Sequence, residues 1–392
     1  MTERLYYHDC YLREFRAKVI DSSDGGRRVY LDRTAFYPTS GGQPFDLGTL
    51  AGIAVREVID EDDRIGHLLE APLGATEVAG IVECRVDWPR RYDHMQQHTG
   101  QHLLSAVLEE LFAIRTVSFH LGSEVSTIDI EAKALTVEQL ERVEDRCAEI
   151  IAEARPVQIT FEDAAGDLEL RKASTRTGTL RIVSIDCANG GVDRSACGGT
   201  HVRTAAEIGL VLTGRLEKIR GITRVEFVCG KRALRRAQAD NRLVASIGRA
   251  LSVPPEQTPE LLAALIEKNK ALEKTGQRLA TELARREGQD LYAATAPDAS
   301  GVRFTTQRGS IDDAMRARAQ AFVAGAKSVF LAVCEQPPSL LLAASADSGI
   351  HAGERIKAAV TASGGRGGGN QQLAQGSVPD AAALAQAEAL LR

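Results

Sequence analysis

The sequence predicts an α+β protein in four parts: a small N-terminal antiparallel β-barrel over 1–85, a metal-binding α+β domain over 86–245, a helical coiled-coil arm or linker over 246–297, and a C-terminal glycine-rich α/β domain over 298–392. Three observations predict this. Short alternating runs broken by glycine fill the first part, a histidine-bearing helix sits among strands in the second, and a spaced leucine series precedes alternating helices and strands in the rest. With 392 residues, the chain exceeds the usual single core of roughly 250 to 300 residues, so more than one domain is expected.

In the first part, Phe15 to Ile20 and Arg28 to Leu31 alternate in polarity and are interrupted by Asp24-Gly25-Gly26 and Gly41-Gly42. Strands separated by glycine turns fit a small antiparallel barrel. The second part opens with a helix from Trp88 through Leu108. Asp87 can cap it, Pro89 suits its first turn, and Tyr92, Met95, Leu103, Ala106 and Val107 recur near the helical period. A second helix lies near Thr136 to Ala154, with strands at Leu180 to Ile185 and Arg224 to Val228.

A break at Val253-Pro254-Pro255 introduces a helix capped by Thr258 with Pro259 in its first turn. Leu262, Leu265, Leu272, Leu279 and Leu283 keep a heptad-like seam, interrupted by Asn269 and Gly276. Both a coiled-coil arm and a helix packed on its own domain satisfy this pattern. Beyond it, a helix near Asp312 to Gly325, strands at Val329 to Val333 and Leu340 to Ala344, and a helix near Gly353 to Thr361 form the last unit. Gly364 to Gly369 with Arg366 reads either as a backbone cradle for phosphate or as a flexible loop. The spacing departs from G-x-x-x-x-G-K-[ST], which excludes a P-loop ATPase.

The seven cysteines form no CxxC and no regular framework, so a reducing compartment is expected. No apolar run approaches the roughly 20 residues that span a bilayer, and the N-terminus has no long apolar segment; a cytoplasmic, soluble protein follows. The formal net charge of −5 argues against a uniformly basic coat. A local one exists between Gly214 and Arg242, where Arg215, Lys218, Arg220, Lys231 and Arg232 are candidate phosphate contacts, although a solvated helix face explains most such runs. Arg366 is a further candidate in the last part.

Chemistry concentrates in two packets. His98 and His102 in Gln97-His98-Thr99-Gly100-Gln101-His102 lie four apart and share one helix face, while Cys197-Gly198-Gly199-Thr200-His201 brings a thiol and an imidazole around a glycine turn. Three nitrogens and one sulfur are a donor set that tetrahedral zinc prefers, so one Zn2+ per chain is expected at His98, His102, Cys197 and His201. Position 99 is Thr, so the His-Glu-x-x-His pattern of metalloproteases and its general base are absent.

These packets, together with Phe36-Tyr37-Pro38-Thr39-Ser40-Gly41-Gly42-Gln43-Pro44-Phe45-Asp46-Leu47-Gly48 and Arg224-Val225-Glu226-Phe227-Val228-Cys229-Gly230, resemble the free-standing alanyl-tRNA editing proteins of the long AlaX type, related to the editing domain of alanyl-tRNA synthetase. The resemblance covers nearly the whole chain, and the glycine-rich stretch resembles the DHH-associated C-terminal domain of full-length synthetases. It implies that the second part is a zinc-binding editing domain, that His98, His102, Cys197 and His201 hold the zinc, and that Gln43 faces the substrate. The partner it implies is tRNA(Ala) carrying the wrong amino acid, and no room remains for an aminoacylation domain.

The logic of such a reaction is physical. A synthetic pocket shaped for alanine cannot strongly reject serine, since adding a hydroxyl costs only about a hundredfold in comparable cases. A second site can instead demand the hydroxyl, because its polar groups go unpaired at about 1 to 3 kcal/mol each when the hydroxyl is missing. Gln43, Thr39 and the Ser118-Phe119-His120 segment are the candidates for reading it, with His120 as readily an ordinary histidine. Seryl and, next to it, glycyl esters on tRNA(Ala) are the expected substrates. Zinc with an open position would be catalytic and with four protein ligands structural. The rival reading is a zinc-stabilised RNA-binding module without catalysis; a nuclease is disfavoured because Asp93-His94-Met95 lacks a third ligand, with His94 read as a helix-surface residue. The leucine arm and the last domain make a homodimer an expectation.

Overall fold

The structure is a computed structural model and describes residues 1–74, 77–78, 80–166, 168–185 and 191–392. It divides into two compact units, Met1–Ser246 and Ile247–Arg392. No helix among the described residues is long and apolar enough to cross a membrane.

In the first unit, β1 (Glu3–Arg4) pairs in parallel with β4 (Arg33–Thr34), beside β2 (Glu14–Ser23), β3 (Arg28–Leu31), β5 (Gly48–Leu50), β6 (Ile53–Glu61), β7 (Arg64–Leu69) and β8 (Ile81–Val86). Six of these strands run in the order β2-β3-β7-β6-β5-β8, and β8 returns to β2 with Phe15 opposite Cys84, closing a barrel. Side chains alternate along β8, so Val82, Cys84 and Val86 point inward while Ile81, Glu83 and Arg85 face solvent. Val29, Leu31, Phe36, Leu50, Val58 and Ile65 fill the interior with them.

Next comes α1 (Trp88–Phe112), whose N-cap is Asp87 with Pro89 in the first turn. The sequence suggests a one-sided helix, yet every residue from His94 to Leu108 is buried. The polar ones are satisfied by long-range bonds: Gln97 accepts from Cys229 N at 2.8 Å and donates to its carbonyl at 3.0 Å. Around α1 stand β9 (Thr116–Leu121), β10 (Ser126–Ile130), α2 (Val137–Ala152, with Thr136 and Gln139 forming a capping box), β11 (Val157–Asp163), β12 (Thr179–Ile185), β13 (Asp193–Ala196), β14 (Val211–Ile219), β15 (Ile222–Cys229) and α3 (Gly230–Leu251). They make a four-stranded antiparallel sheet, β14-β15-β10-β9, and a three-stranded one, β11-β12-β13. Arg91 joins this layer to the barrel. Its guanidinium and the Asp46 carboxylate are both fully buried, paired at 3.0 Å through Nε, with a further bond to the Cys10 carbonyl at 2.8 Å.

The second unit holds α4 (Thr258–Ala294), β16 (Arg303–Arg308), α5 (Asp313–Val323), β17 (Ser328–Glu335), β18 (Pro338–Ala344), α6 (Ala352–Ala362), β19 (Arg366–Gly369), β20 (Leu373–Ser377) and α7 (Ala381–Leu391). Its sheet runs β16-β17-β18-β20-β19, parallel between the first pair and antiparallel elsewhere. Three sequence expectations change here. Thr258 is the first helical residue and caps nothing; its buried hydroxyl has no partner. The glycine run is not a flexible loop, because Arg366–Gly369 pairs with β20 as an exposed edge strand. The predicted leucine seam is not the packed face of α4: Leu262, Leu265, Leu272, Leu279 and Leu283 are exposed, whereas Ala284 and Gly288 are buried and Leu291 packs with Met315, Ala319 and Phe322 of α5.

Candidate metal centre

Residues four apart on α1 bring the rings of His98 and His102 to 5.3 Å between centroids, and His201 lies 4.5 and 4.8 Å from them. Cys197 Sγ is 3.4 Å from His98 Nε2 and 3.3 Å from His201 Nε2. One donor atom from each of these four residues lies within 4.8 Å of all the others, so together they could hold a metal ion. The close approach explains Gly199. A Cβ there would stand 2.1 Å from His98 Cε1, so glycine is needed for space.

The outer nitrogen of each ring is engaged. His98 Nδ1 is 2.8 Å from Gln43 Oε1, His102 Nδ1 is 2.7 Å from Asp193 Oδ2, and His201 Nδ1 is 3.1 Å from Thr99 Oγ1. An amide oxygen and a carboxylate only accept, so His98 and His102 carry their protons on Nδ1 and leave the Nε2 lone pairs for a metal. Thr99 therefore supports a ring in place of the absent glutamate base. Asp193 is held in turn by Arg171 and, at 3.0 Å, by Ser195 Oγ. Electrostatics fit the same donor set. Burial alone would raise the Cys197 thiol, but His98, His201 and His102 hold it well below its ordinary value, as a thiolate ligand requires. Burial likewise disfavours a charged His102, yet the Asp193 carboxylate lifts it to about 9, so a metal at Nε2 must displace a proton there, while burial dominates at His201 and lowers it to about 3.

This cluster forms one wall of a cavity of about 600 Å³. Opposite it stand Tyr7, Tyr37 and Ser40 of the barrel side, Thr116 to Phe119 of β9, and the segment Arg171 to Arg176. The barrel loop reaches β9 because Gly42, at φ +82°, has no Cβ; one would meet the Phe119 ring at 2.9 Å.

No family model matches the chain. Over 96% of its length it is 32% identical to alanyl-tRNA editing protein AlaX-L of Pyrococcus horikoshii, covering 95% of that protein. The chain belongs to the alanyl-tRNA editing protein family. It is also 29% identical to the alanyl-tRNA editing protein Aarsd1 of Mus musculus, over 99% of this chain and 97% of that one. With the alanine–tRNA ligase of Pyrococcus furiosus the identity is 31% over 97% of this chain and 42% of the ligase.

Against this family frame, the other residues singled out from sequence fall in different places. Gln43 is fully buried behind His98 and donates to Thr200 Oγ1 at 2.8 Å; its amide orients the cluster and does not line the cavity. Thr39 and His120 are solvent-exposed and outside the cavity, whereas Ser118 lines it and donates to Asp129 at 2.7 Å. Arg215, Lys218 and Arg220 stand exposed on the β14–β15 hairpin, with Lys231 exposed on α3 and Arg366 exposed on β19. Arg232 is committed elsewhere: Asp93 holds its Nε at 2.9 Å and the Gly122 carbonyl its NH1 at 2.7 Å. His94 is 2% exposed, a buried residue and no surface histidine. Sequence reasoning missed Asp193, Arg171 and Thr200. Thr200 sits inside a recognised packet, but nothing local marks Asp193, 91 residues from its partner.

Proposed function

We propose that the protein is an aminoacyl-tRNA deacylase that hydrolyses the ester of tRNA(Ala) wrongly charged with serine, and with glycine as a second substrate, without aminoacylation activity. The observation that carries this reading is the convergence of three imidazoles and a thiol on the wall of a polar cavity, in a chain that matches AlaX-L end to end. His98, His102, Cys197 and His201 hold one Zn2+, since each ring presents Nε2 and the thiol is disposed to ionise. The ion, when bound, supplies a Lewis acid and a fixed positive charge beside the ester. The chain's own groups orient and enclose. Gln43, Asp193 and Thr99 fix the three rings, Tyr7, Gln101 and Ser118 place polar atoms around the acyl group, and Lys172 and Arg176 offer cations near the terminal nucleotide.

A non-catalytic RNA-binding module is not favoured by relatives that are named as editing proteins. Arg215, Lys218, Arg220, Lys231 and Arg366 are the proposed RNA-facing cations. The functional division is the barrel over 1–85, the editing layer over 86–245, the helical arm over 246–297 and the C-terminal domain over 298–392. The exposed leucines of α4 support a homodimer of two copies, and the free cysteines among the described residues, together with a tRNA substrate, support a cytoplasmic protein. The test is a deacylation assay with seryl-, glycyl- and alanyl-tRNA beside metal analysis of the wild type and Cys197→Ala. Faster loss of seryl or glycyl than of alanyl ester is expected; equal rates for all three would sink the proofreading role.

A further inference from the structure

A second cavity, of about 740 Å³, lies in the first unit and shares no lining residue with the one at the metal centre. Arg90 and His94 of α1, the loop Ser123 to Val125, and the first turns of α3 with Lys231 and Arg235 enclose it. His94 stands one turn before His98 on the same stripe of α1.

Its charges are unbalanced. The Asp93 carboxylate is occupied by Arg232, and Arg236 pairs with Asp240 at 3.0 Å. Arg90 donates through Nε to the Phe45 carbonyl at 3.0 Å, and neither it nor Lys231 nor Arg235 has a carboxylate partner among the described residues. Against these three cations the lining offers one uncommitted carboxylate, Glu124. The positive end of α3, a helix of 22 residues, adds to the same field. The independent observation is His94. Its side chain lines the cavity while 2% exposed, and its buried Nδ1 has no hydrogen-bond partner. Buried polar atoms are almost always satisfied, and an exception calls for a specific cause, a bound ion or water among them.

We propose that this cavity binds a phosphate of an RNA backbone, so that the first unit grips the aminoacyl end at the metal centre and a backbone phosphate beside His94. Cations arriving from two helices around one space match an anion with oxygens on several sides, and the His94 ring forms part of its wall. This inference rests on the deacylase reading for its choice of RNA over a free anion.

The test measures binding of uncharged tRNA by the full chain across a salt series. Lys231→Ala combined with Arg235→Ala removes two exposed side chains. The expected result is about a tenfold weaker Kd and a slope of log K against log salt that falls by roughly one to two. Glu124→Gln should move affinity the other way. In parallel, inorganic phosphate titrated into the unmodified protein should shift the imidazole nitrogen signals of His94. Unchanged tRNA affinity and slope in the double variant overturn the proposal, and so does a phosphate-shifted His94 with unaltered tRNA binding, which marks a small-anion site. Failure of the deacylase reading looks different: the unmodified chain would bind tRNA with the same slope yet release no serine.

Discussion

Asp193 Oδ2 lies 2.7 Å from Nδ1 of His102, although 91 residues separate them. The carboxylate belongs to β13 and the ring to α1, so this bond ties the three-stranded sheet to the helix that carries half the metal cluster. It sets the tautomer of His102 and makes the ring a better donor. Asp193→Asn keeps the shape and removes the charge. Metal affinity should fall by about 10- to 100-fold, as for comparable outer ligands, and competition with a chromophoric chelator will measure it. Unchanged affinity would show that His102 needs no such support.

Gly199 provides a steric test of the same cluster. Alanine there places a methyl 2.1 Å from His98 Cε1 and 3.1 Å from Gln43 Oε1, and the ring must leave its position. Gly199→Ala should lose stoichiometric metal while keeping a folded far-ultraviolet circular dichroism spectrum. Full metal occupancy in that variant would contradict the assignment of His98 as a ligand.

The Arg91–Asp46 pair is fully buried on both sides and joins barrel to α1. Asp46→Ala leaves an uncompensated guanidinium in the interior, which typically costs about 3 to 5 kcal/mol. Denaturant unfolding should show this loss, and a change below about 1 kcal/mol would mean that water reaches Arg91.

Inside the barrel, burial lowers His67 to about 4, with the Val29 carbonyl opposing only in part. The folded form therefore keeps this ring neutral where the unfolded chain, at about 6.5, begins to protonate. Stability contributed by neutral His67 is complete above that value and drains away as the pH falls from about 6.5 to 4, by roughly 3 kcal/mol in total. The folded pKa being the lower one, the unfolded chain binds the extra proton and stability rises with pH across this window. His67→Gln should flatten that part of the profile, read as midpoint of denaturation against pH. A variant with the same slope as wild type would assign the acid loss elsewhere.

Much of the metal centre was legible because its grammar is local. The 98–102 spacing depends only on the helical period, Asp87 and Pro89 mark the helix start, and a thiol, two glycines and an imidazole in five residues are a packet in themselves. The glycine run and Thr258 misled for the same local reason. Runs of glycine and a threonine before proline carry several meanings, and pairing with β20 or the actual first turn of α4 selects one. The helix α3 and the strands β16 and β20 were not read from sequence, since charge density and short apolar runs hide their periodicity.

From its order of residues alone, the chain settled the start of α1, its family and the four side chains able to bind one cation, because each rests on neighbours a few positions apart. Folding decided the rest: that Gln43 stands behind His98, that Asp193 and Thr99 aim the rings, that Thr39 and His120 face solvent, and that His94 is buried beside unpaired cations. The three bonds to the rings join residues 55, 91 and 102 positions apart, and no periodicity in a linear chain encodes which distant side chains will share one small volume.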